Sequence, residues 1–223
     1  MNKYKVIILS LLISFMGASC EDWLYDNVNE DAAHEVLPQQ VLPVVLFYSA
    51  QLQFDHAEYG AYLTQTLTTG GRNQTSSFAY KSGWGDFLTM NRHPQWRRHF
   101  YDIGVNAKEI IDEAHEAQAW NLELIGRTLR LMSTQMTTDL FGDMPRSEAY
   151  ESNSPHYDTQ ESIYEWMNQE IEELIGMYED PTYTEAATNI PIDQSIDRVF
   201  AGDLNKWKHY TYALNCLLYT SPS

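Results

Sequence analysis

Cysteine is almost absent from this chain, whose 223 residues contain only Cys20 and Cys216. At most one disulfide bond can therefore form, which excludes the disulfide framework typical of small secreted domains. If the first of these cysteines is modified, no bridge can form within the chain. The fold must then depend on side-chain packing alone.

Long hydrophobic runs are also missing. The most apolar segment, residues 6–16, has eleven residues, whereas a transmembrane helix needs about 20. Two lysines precede this segment and three small residues follow it, which predicts an export signal over residues 1–19. Cys20 comes directly after the small residues and indicates a bacterial lipoprotein, in which several acyl chains on this residue form a stable anchor. The alternative is an ordinary cleaved signal followed by an incidental cysteine.

Positive charge is scarce. Lys and Arg total 14 against 31 Asp and Glu, so the formal net charge is −17. Binding to nucleic acid needs clustered Lys and Arg, so nucleic acid is excluded as a partner. The same deficit argues against direct binding to anionic lipid head groups, so a lipid anchor would have to hold the protein at a membrane.

Motifs of metal and cofactor chemistry are absent as well. The seven histidines show no metal-ligand spacing, and neither HExxH nor CxxC occurs, so we expect no metal site. A phosphate-binding loop and a serine nucleophile elbow are also missing, so we expect no cofactor and no enzyme activity. A helical glycoside hydrolase that uses two carboxylates is an alternative. The abundance of acids is not evidence for it, because some pair will always lie close together.

Helical periodicity dominates the remaining sequence. Residues 20–39 are polar and acidic and are interpreted as a tether. A helix is predicted from Gln40 to about Leu67, where the pair Gly70-Gly71 ends the pattern. Residues 72–93 then form a long polar loop that contains several aromatic side chains, and loops of this length are often functional.

Two apolar stripes follow this loop. The first starts after Pro94, at Trp96, and recurs at steps of three and four as far as Ala114; the second extends from Leu122 to Met136. The connection between them is short, so we expect two antiparallel neighbouring helices.

The last two predicted helices have recognisable starts. Asp158 and Glu161 have the spacing of a capping box, and Asp203 is placed as the N-cap of a fourth helix. Because no alternating strand pattern appears, the sequence predicts an all-α protein. Its helices pair as hairpins in a helical domain over residues 40–223.

Four segments resemble the SusD/RagB family of outer-membrane lipoproteins. They are CEDWL with Asn27 (from Cys20), Trp96 to Tyr101 followed by NAKEII, TDLFGDMPRSEA (138–149), and residues 197–215 with GD, KWK and ALN. The third is the most specific, although Arg146 stands where an aromatic residue is common. We interpret Gly142, Pro145 and the neighbouring Asp139 or Asp143 as the structural end of a helix. Trp96, Trp166 and Trp207 lie on apolar stripes and are expected in the core.

The resemblance implies a fold of TPR-like helical hairpins with loops inserted on one face. It also implies a lipid-anchored protein displayed on the outer membrane. Such a protein captures oligosaccharide and delivers it to a TonB-dependent, SusC-like transporter. Family members are about twice as long, so we interpret this chain as an N-terminal portion, truncated at its C-terminus. Its uncapped tail from Cys216 onward resembles translated adapter sequence more than the end of a native helix.

The long loop is the predicted glycan site. Sugar binding without catalysis uses flat aromatic faces and polar side chains that pair with hydroxyl groups, and the resemblance implies ligand contacts from the loop before the first long helix. The predicted ligand-binding residues are Arg72, Asn73, Phe78, Tyr80 and Trp84. For Trp84 the alternative is a plug at the edge of the core. For the whole protein the alternative is a helical-repeat scaffold or peptide-binding lipoprotein of the same import complex.

Overall fold

Helices form almost all the regular structure in residues 37–64, 66 and 94–220, which are the residues that the computed structural model describes. No strand occurs in this part of the chain, and the nearest feature is a single bridge between Met144 and Asp158. A π-helical stretch, Arg98–Val105, joins α2 directly to α3. The helices are α1 Pro38–Leu63, α2 Pro94–Arg97, α3 Asn106–Glu116, α4 Trp120–Phe141, α5 Gln160–Glu179, α6 Pro181–Thr184 and α7 Leu204–Thr220. The all-α prediction is confirmed.

Helix α1 contacts the π-helical stretch, α3 and α4 through one face. It starts at Pro38, a residue suited to a first helical position, and so begins two residues before the predicted start. Leu42 and Val45 are fully buried, but Phe54, which the apolar pattern included, is 63% exposed. A period of 3.6 residues carries position 54 to the opposite side of the helix.

The predicted helix after Pro94 is present as one continuous helical segment, α2 to α3. Ile103, Ala107, Ile110 and Ala114 are fully buried, as their spacing predicts. Residues 117–119 connect α3 to α4, and these two helices pack against each other. The prediction of neighbouring helices joined by a short connection is therefore confirmed.

Helix α4 lies at the centre of the described helices. It contacts α1, α3, α5 and α7, so its polar positions are buried as well as its apolar stripe. The hydroxyls of Thr128 and Thr137 donate to the carbonyls of Leu124 and Ser133, at 2.8 and 2.7 Å. These bonds satisfy hydroxyl groups that would otherwise be costly to bury.

The starts of α5 and α7 test two capping predictions. Asp203 accepts from the N–H groups of Asn205 and Lys206, so its prediction as an N-cap is confirmed. The prediction for Asp158 is wrong, because the N-cap of α5 is Thr159, whose side chain accepts from the Ser162 N–H. The Asp158 side chain is turned back toward the preceding connection instead, where it accepts other N–H groups.

Candidate functional site

The predicted glycan-binding residues lie outside the described residues. They are Arg72, Asn73, Phe78, Tyr80 and Trp84, and the predicted lipidation site Cys20 lies outside them too. These assignments stay predictions, as does the division into a signal (1–19), a tether (20–39) and a helical domain (40–223).

Sequence reasoning missed a cavity of about 230 Å³ in the helical body. It lies where the π-helical stretch, α3, α4 and α5 meet the connection formed by residues 142–159. The helices contribute His99, Lys108, Asp112, Arg130, Thr134 and Trp166, and the connection contributes Pro145, Arg146, Ser147, Ala149, Tyr150 and Glu151.

The 142–159 connection is fastened at both ends. Gly142 ends α4 with a φ of +75°, a conformation that favours glycine, and the Asp143 carboxylate accepts from the N–H of Gln160 at the start of α5. Between them, Met144 and Asp158 exchange two backbone hydrogen bonds of 3.2 and 3.1 Å. The predicted structural role of this segment is confirmed, but the same segment also forms one wall of the cavity.

The Asp158 carboxylate fixes the backbone of that wall. It accepts from the N–H groups of Arg146 and Ser147, at 2.8 and 2.9 Å. Burial raises the pKa of Asp158, but these two N–H groups and the Ser147 hydroxyl outweigh it, so the pKa lies below its ordinary value. The carboxylate therefore stays ionised near neutral pH and holds Arg146 at the edge of the cavity.

Two arginines converge on one tryptophan ring in the cavity. The guanidinium of Arg146 lies 4.3 Å from the Trp166 ring centroid, and that of Arg130 lies 5.9 Å from it. Trp166 was predicted to be a core residue; it does pack against the core but is only partly buried and also lines the cavity. The core prediction holds fully for Trp207, which is 1% exposed, while Trp96 is partly buried.

The nearby acids are already paired with other cations. Lys108 contacts Asp112 at 2.5 Å and Glu151 at 3.4 Å. Behind the cavity, Arg127 holds Glu170 at 2.8 Å. Within the described residues, the lining therefore combines paired carboxylates with two arginines that face the same space.

His99 is a buried neutral base beside the cavity. Its Nδ1 lies 3.1 Å from the Ser133 hydroxyl, which itself donates to the carbonyl of Arg130, so Nδ1–H donates to Ser133. Burial lowers the pKa of His99 to about 3, from 6.5. The imidazole therefore adds no positive charge to the cavity near neutral pH.

This buried imidazole makes stability depend on pH. His99 binds a proton near pH 6.5 in the unfolded state but only near pH 3 in the folded state. As the pH falls through this window, the free energy of unfolding therefore falls, by up to about 1.4 kcal/mol per pH unit. The free energy of unfolding, measured with urea at pH 7.5, 6 and 5, should depend less steeply on pH in His99→Gln than in the wild type. The exposed His209→Gln is the matched control. An unchanged slope in His99→Gln would contradict the assignment.

Gly104 allows Tyr150 to approach the π-helical stretch. A Cβ at position 104 would lie 1.8 Å from the Tyr150 hydroxyl oxygen and 2.6 Å from the carbonyl oxygen of His99. Burial raises the pKa of Tyr150 to about 12, so its hydroxyl stays protonated. The absence of a side chain at this position thus lets Tyr150, which lines the cavity, pack against the π-helical stretch.

Substituting Gly104 by alanine is expected to destabilise the protein by about 1–3 kcal/mol, because the added methyl group overpacks a closed site. Gly176 in α5 is the matched control, since a Cβ there meets no atom of the described residues within 4 Å. Gly176→Ala should instead stabilise by about 0.5–1 kcal/mol. Thermal and urea unfolding should show that the two substitutions change the stability in opposite directions. Changes in the same direction would refute the close contact at Gly104.

Two negative findings apply to the described residues only. None of their helices is both long and apolar enough to cross a membrane. No group of three or more His, Cys, Asp or Glu side chains in this part of the chain is arranged to hold a metal ion.

The helical hairpins, with a long connection that carries the TDLFGDMP segment, place the protein in a class of all-helical, repeat-like folds. Residues 38–220 match the family model described as "SusD-like_2: Starch-binding associating with outer membrane". The match covers most of the sequence, and the chain belongs to this SusD-like family. The resemblance noted in the sequence is thereby confirmed.

One solved structure supports the fold assignment. A SusD/RagB family protein from Bacteroides thetaiotaomicron superimposes with a TM-score of 0.60 at 20% sequence identity, over 81% of this chain and 37% of that chain. At this identity the likeness concerns the fold. The present chain spans little more than a third of the length of that protein. No curated protein matches the sequence.

Proposed function

We propose that this protein is a surface-exposed, lipid-anchored binding protein that captures oligosaccharide and delivers it to a TonB-dependent, SusC-like transporter. The observation that carries the proposal is the family match over residues 38–220, since that family is described as starch-binding and associated with the outer membrane. The action proposed is binding without catalysis. Pure protein should therefore release no reducing sugar from any glycan that it binds.

The lipid anchor is proposed at Cys20. Support comes from the order of charged start, apolar segment and small residues that precede it. Radiolabelled palmitate should label the wild-type protein in cells and should not label Cys20→Ser. Cys216→Ser is the matched control, because it removes the other cysteine and should retain the label. Labelling of Cys20→Ser would overturn this part of the proposal.

The glycan site is proposed in the loop of residues 72–93. Its aromatic and polar side chains suit the two surfaces of a sugar ring, and each contact is expected to be worth about 1 kcal/mol. Isothermal titration against a panel of starch-type and other oligosaccharides should show binding, with Kd about fivefold weaker in Trp84→Ala. Tyr101→Ala is the control, because Tyr101 is 71% exposed on the π-helical stretch, outside the loop.

Three outcomes of that titration are decisive. Glycan binding that weakens in Trp84→Ala but not in Tyr101→Ala supports the loop site. An equal loss of glycan affinity in Trp84→Ala and Tyr101→Ala would contradict the proposed site in the loop. No binding to any oligosaccharide, together with binding to peptides, would favour the peptide-binding alternative.

A further inference from the structure

We infer that the cavity between the 142–159 connection and helices α3 to α5 is a second ligand site, which binds a small molecule with one carboxylate and several hydroxyls, such as a sugar acid. All the lining residues that the structure describes lie between His99 and Trp166. The inference uses these residues alone and none of the proposed glycan loop, 72–93. The inference does not depend on the proposed function and would stand if the loop bound no glycan.

The cavity contains cationic groups whose hydrogen-bonding capacity is not used. The Nε of Arg130 is buried and has no hydrogen-bond partner among the described residues. Its nearest acid, Glu170, is 3.7 Å away and is already bound by Arg127 at 2.8 Å. Arg146 makes no ion pair within 4 Å among the described residues. A buried donor without an acceptor is rare in folded proteins, so an external anion is the simplest partner for the Arg130 Nε.

Arg146 is preorganised to bind such an anion. Its backbone is fixed by Asp158 at 2.8 Å, and its guanidinium rests 4.3 Å above the Trp166 ring. A guanidinium that lies over a ring face can still donate through its N–H groups, and a pair of these matches the two oxygens of a carboxylate. Binding at these groups would also screen the repulsion between Arg146 and Arg130.

The charge of the lining favours a monoanion. Lys108, Arg130 and Arg146 contribute three positive charges, Asp112 and Glu151 contribute two negative charges, and His99 is neutral. Among the lining side chains alone the sum is one excess positive charge; Asp158 and Glu170, which also attract Arg146, lie outside the lining. A carboxylate with one charge balances this excess, whereas a dianion would be repelled by the two acids that flank Lys108.

The size of the cavity and its hydroxyl groups define the remainder of the ligand. A volume of about 230 Å³ is several times the roughly 30 Å³ that one water occupies in the liquid. It is also below the roughly 300–1,000 Å³ of pockets for drug-sized ligands. Thr134, Ser147 and Tyr150 line the same space. The hydroxyls of Thr134 and Ser147 already donate to the Arg130 carbonyl and the Asp158 carboxylate, so they are available to a ligand hydroxyl as acceptors. A single sugar ring with a carboxylate has this combination of size and groups.

The test is isothermal titration of the mature chain with glucuronate, with glucose as the neutral analogue and inorganic sulfate as the dianion. Wild-type protein should bind glucuronate at least tenfold more tightly than glucose or sulfate, and binding should weaken as salt is added. Arg146→Gln should raise the Kd for glucuronate at least tenfold. The exposed Arg198→Gln, which removes the same charge elsewhere, should leave it unchanged.

Each other result would overturn the inference. Equal binding of glucuronate and glucose would exclude a charge-based site, and sulfate binding as tightly as glucuronate would exclude a sugar acid as its ligand class. A Kd unchanged in Arg146→Gln would exclude this cavity. If Arg146→Gln does not fold, the site is tested instead by NMR on the wild-type protein. The indole N–H resonance of Trp166 is first assigned by comparison with Trp166→Phe. That resonance should shift on addition of glucuronate to the wild-type protein, and no shift would refute the site.

Discussion

Replacing Asp197 by alanine is expected to lower the free energy of unfolding by about 4 kcal/mol. This side chain is fully buried and accepts four hydrogen bonds from the loop before α7 and from α7 itself. The donors are Val199 N–H at 2.9 Å, Phe200 N–H at 3.1 Å, Gly202 N–H at 2.9 Å and Trp207 Nε1–H at 2.8 Å. Each buried donor left without an acceptor costs about 1–3 kcal/mol, and entering water would recover part of the total. Urea unfolding followed by circular dichroism measures the effect.

Two neighbouring variants calibrate this result. Asp203→Ala removes only the N-cap of α7 and should cost about 1 kcal/mol. Trp207→Phe removes one of the four donors while keeping most of the ring and should cost less than Asp197→Ala. If Asp197→Ala is no more destabilising than Asp203→Ala, the four-donor site does not stabilise the fold as described.

Replacing Arg127 by methionine is expected to cost about 3–5 kcal/mol, because it leaves buried carboxylates without their cation. Its guanidinium contacts Glu123 at 3.4 Å and Glu170 at 2.8 Å, and these side chains are 4% and 8% exposed. Urea unfolding at pH 7.5 measures the effect.

The same cluster offers two controls. Glu173 contacts Arg127 at 3.1 Å but is 62% exposed, so Glu173→Gln should cost less than about 1 kcal/mol. A triple variant that replaces Glu123, Arg127 and Glu170 with apolar residues should recover most of the loss, because it removes the charges together. If the triple variant is as unstable as Arg127→Met, lost packing rather than unpaired charge causes the deficit.

The helices could be predicted from sequence where the signal was local. The steps of three and four after Pro94 located the residues that α3 buries, and Asp203 caps α7 through N–H groups two and three residues away. Asp158 and Thr159 are both good capping residues, and the local pattern favoured the wrong one. The bridge between Asp158 and Met144, fourteen residues earlier in the chain, determines which of the two residues caps α5.

The cavity could not be predicted from sequence. Its cationic residues, Lys108, Arg130 and Arg146, and its indole ring, Trp166, come from four separate parts of the chain. No spacing rule links such positions, because their distances depend on how α3, α4 and α5 pack. The Gly142–Pro145 pattern signalled the end of a helix, and it gave no sign that the residue after it would lie over a tryptophan ring.

The sequence by itself determined the helical class, the family and most helix boundaries, because these depend on periodicity, caps and short motifs read within a few residues. Only the tertiary structure decided that α4 is buried on its polar side as well. It also decided that Asp158 serves the connection instead of the helix and that two arginines share one ring. These features depend on contacts between residues far apart in the chain, and the balance of burial and charge at such contacts exists only once the helices have packed.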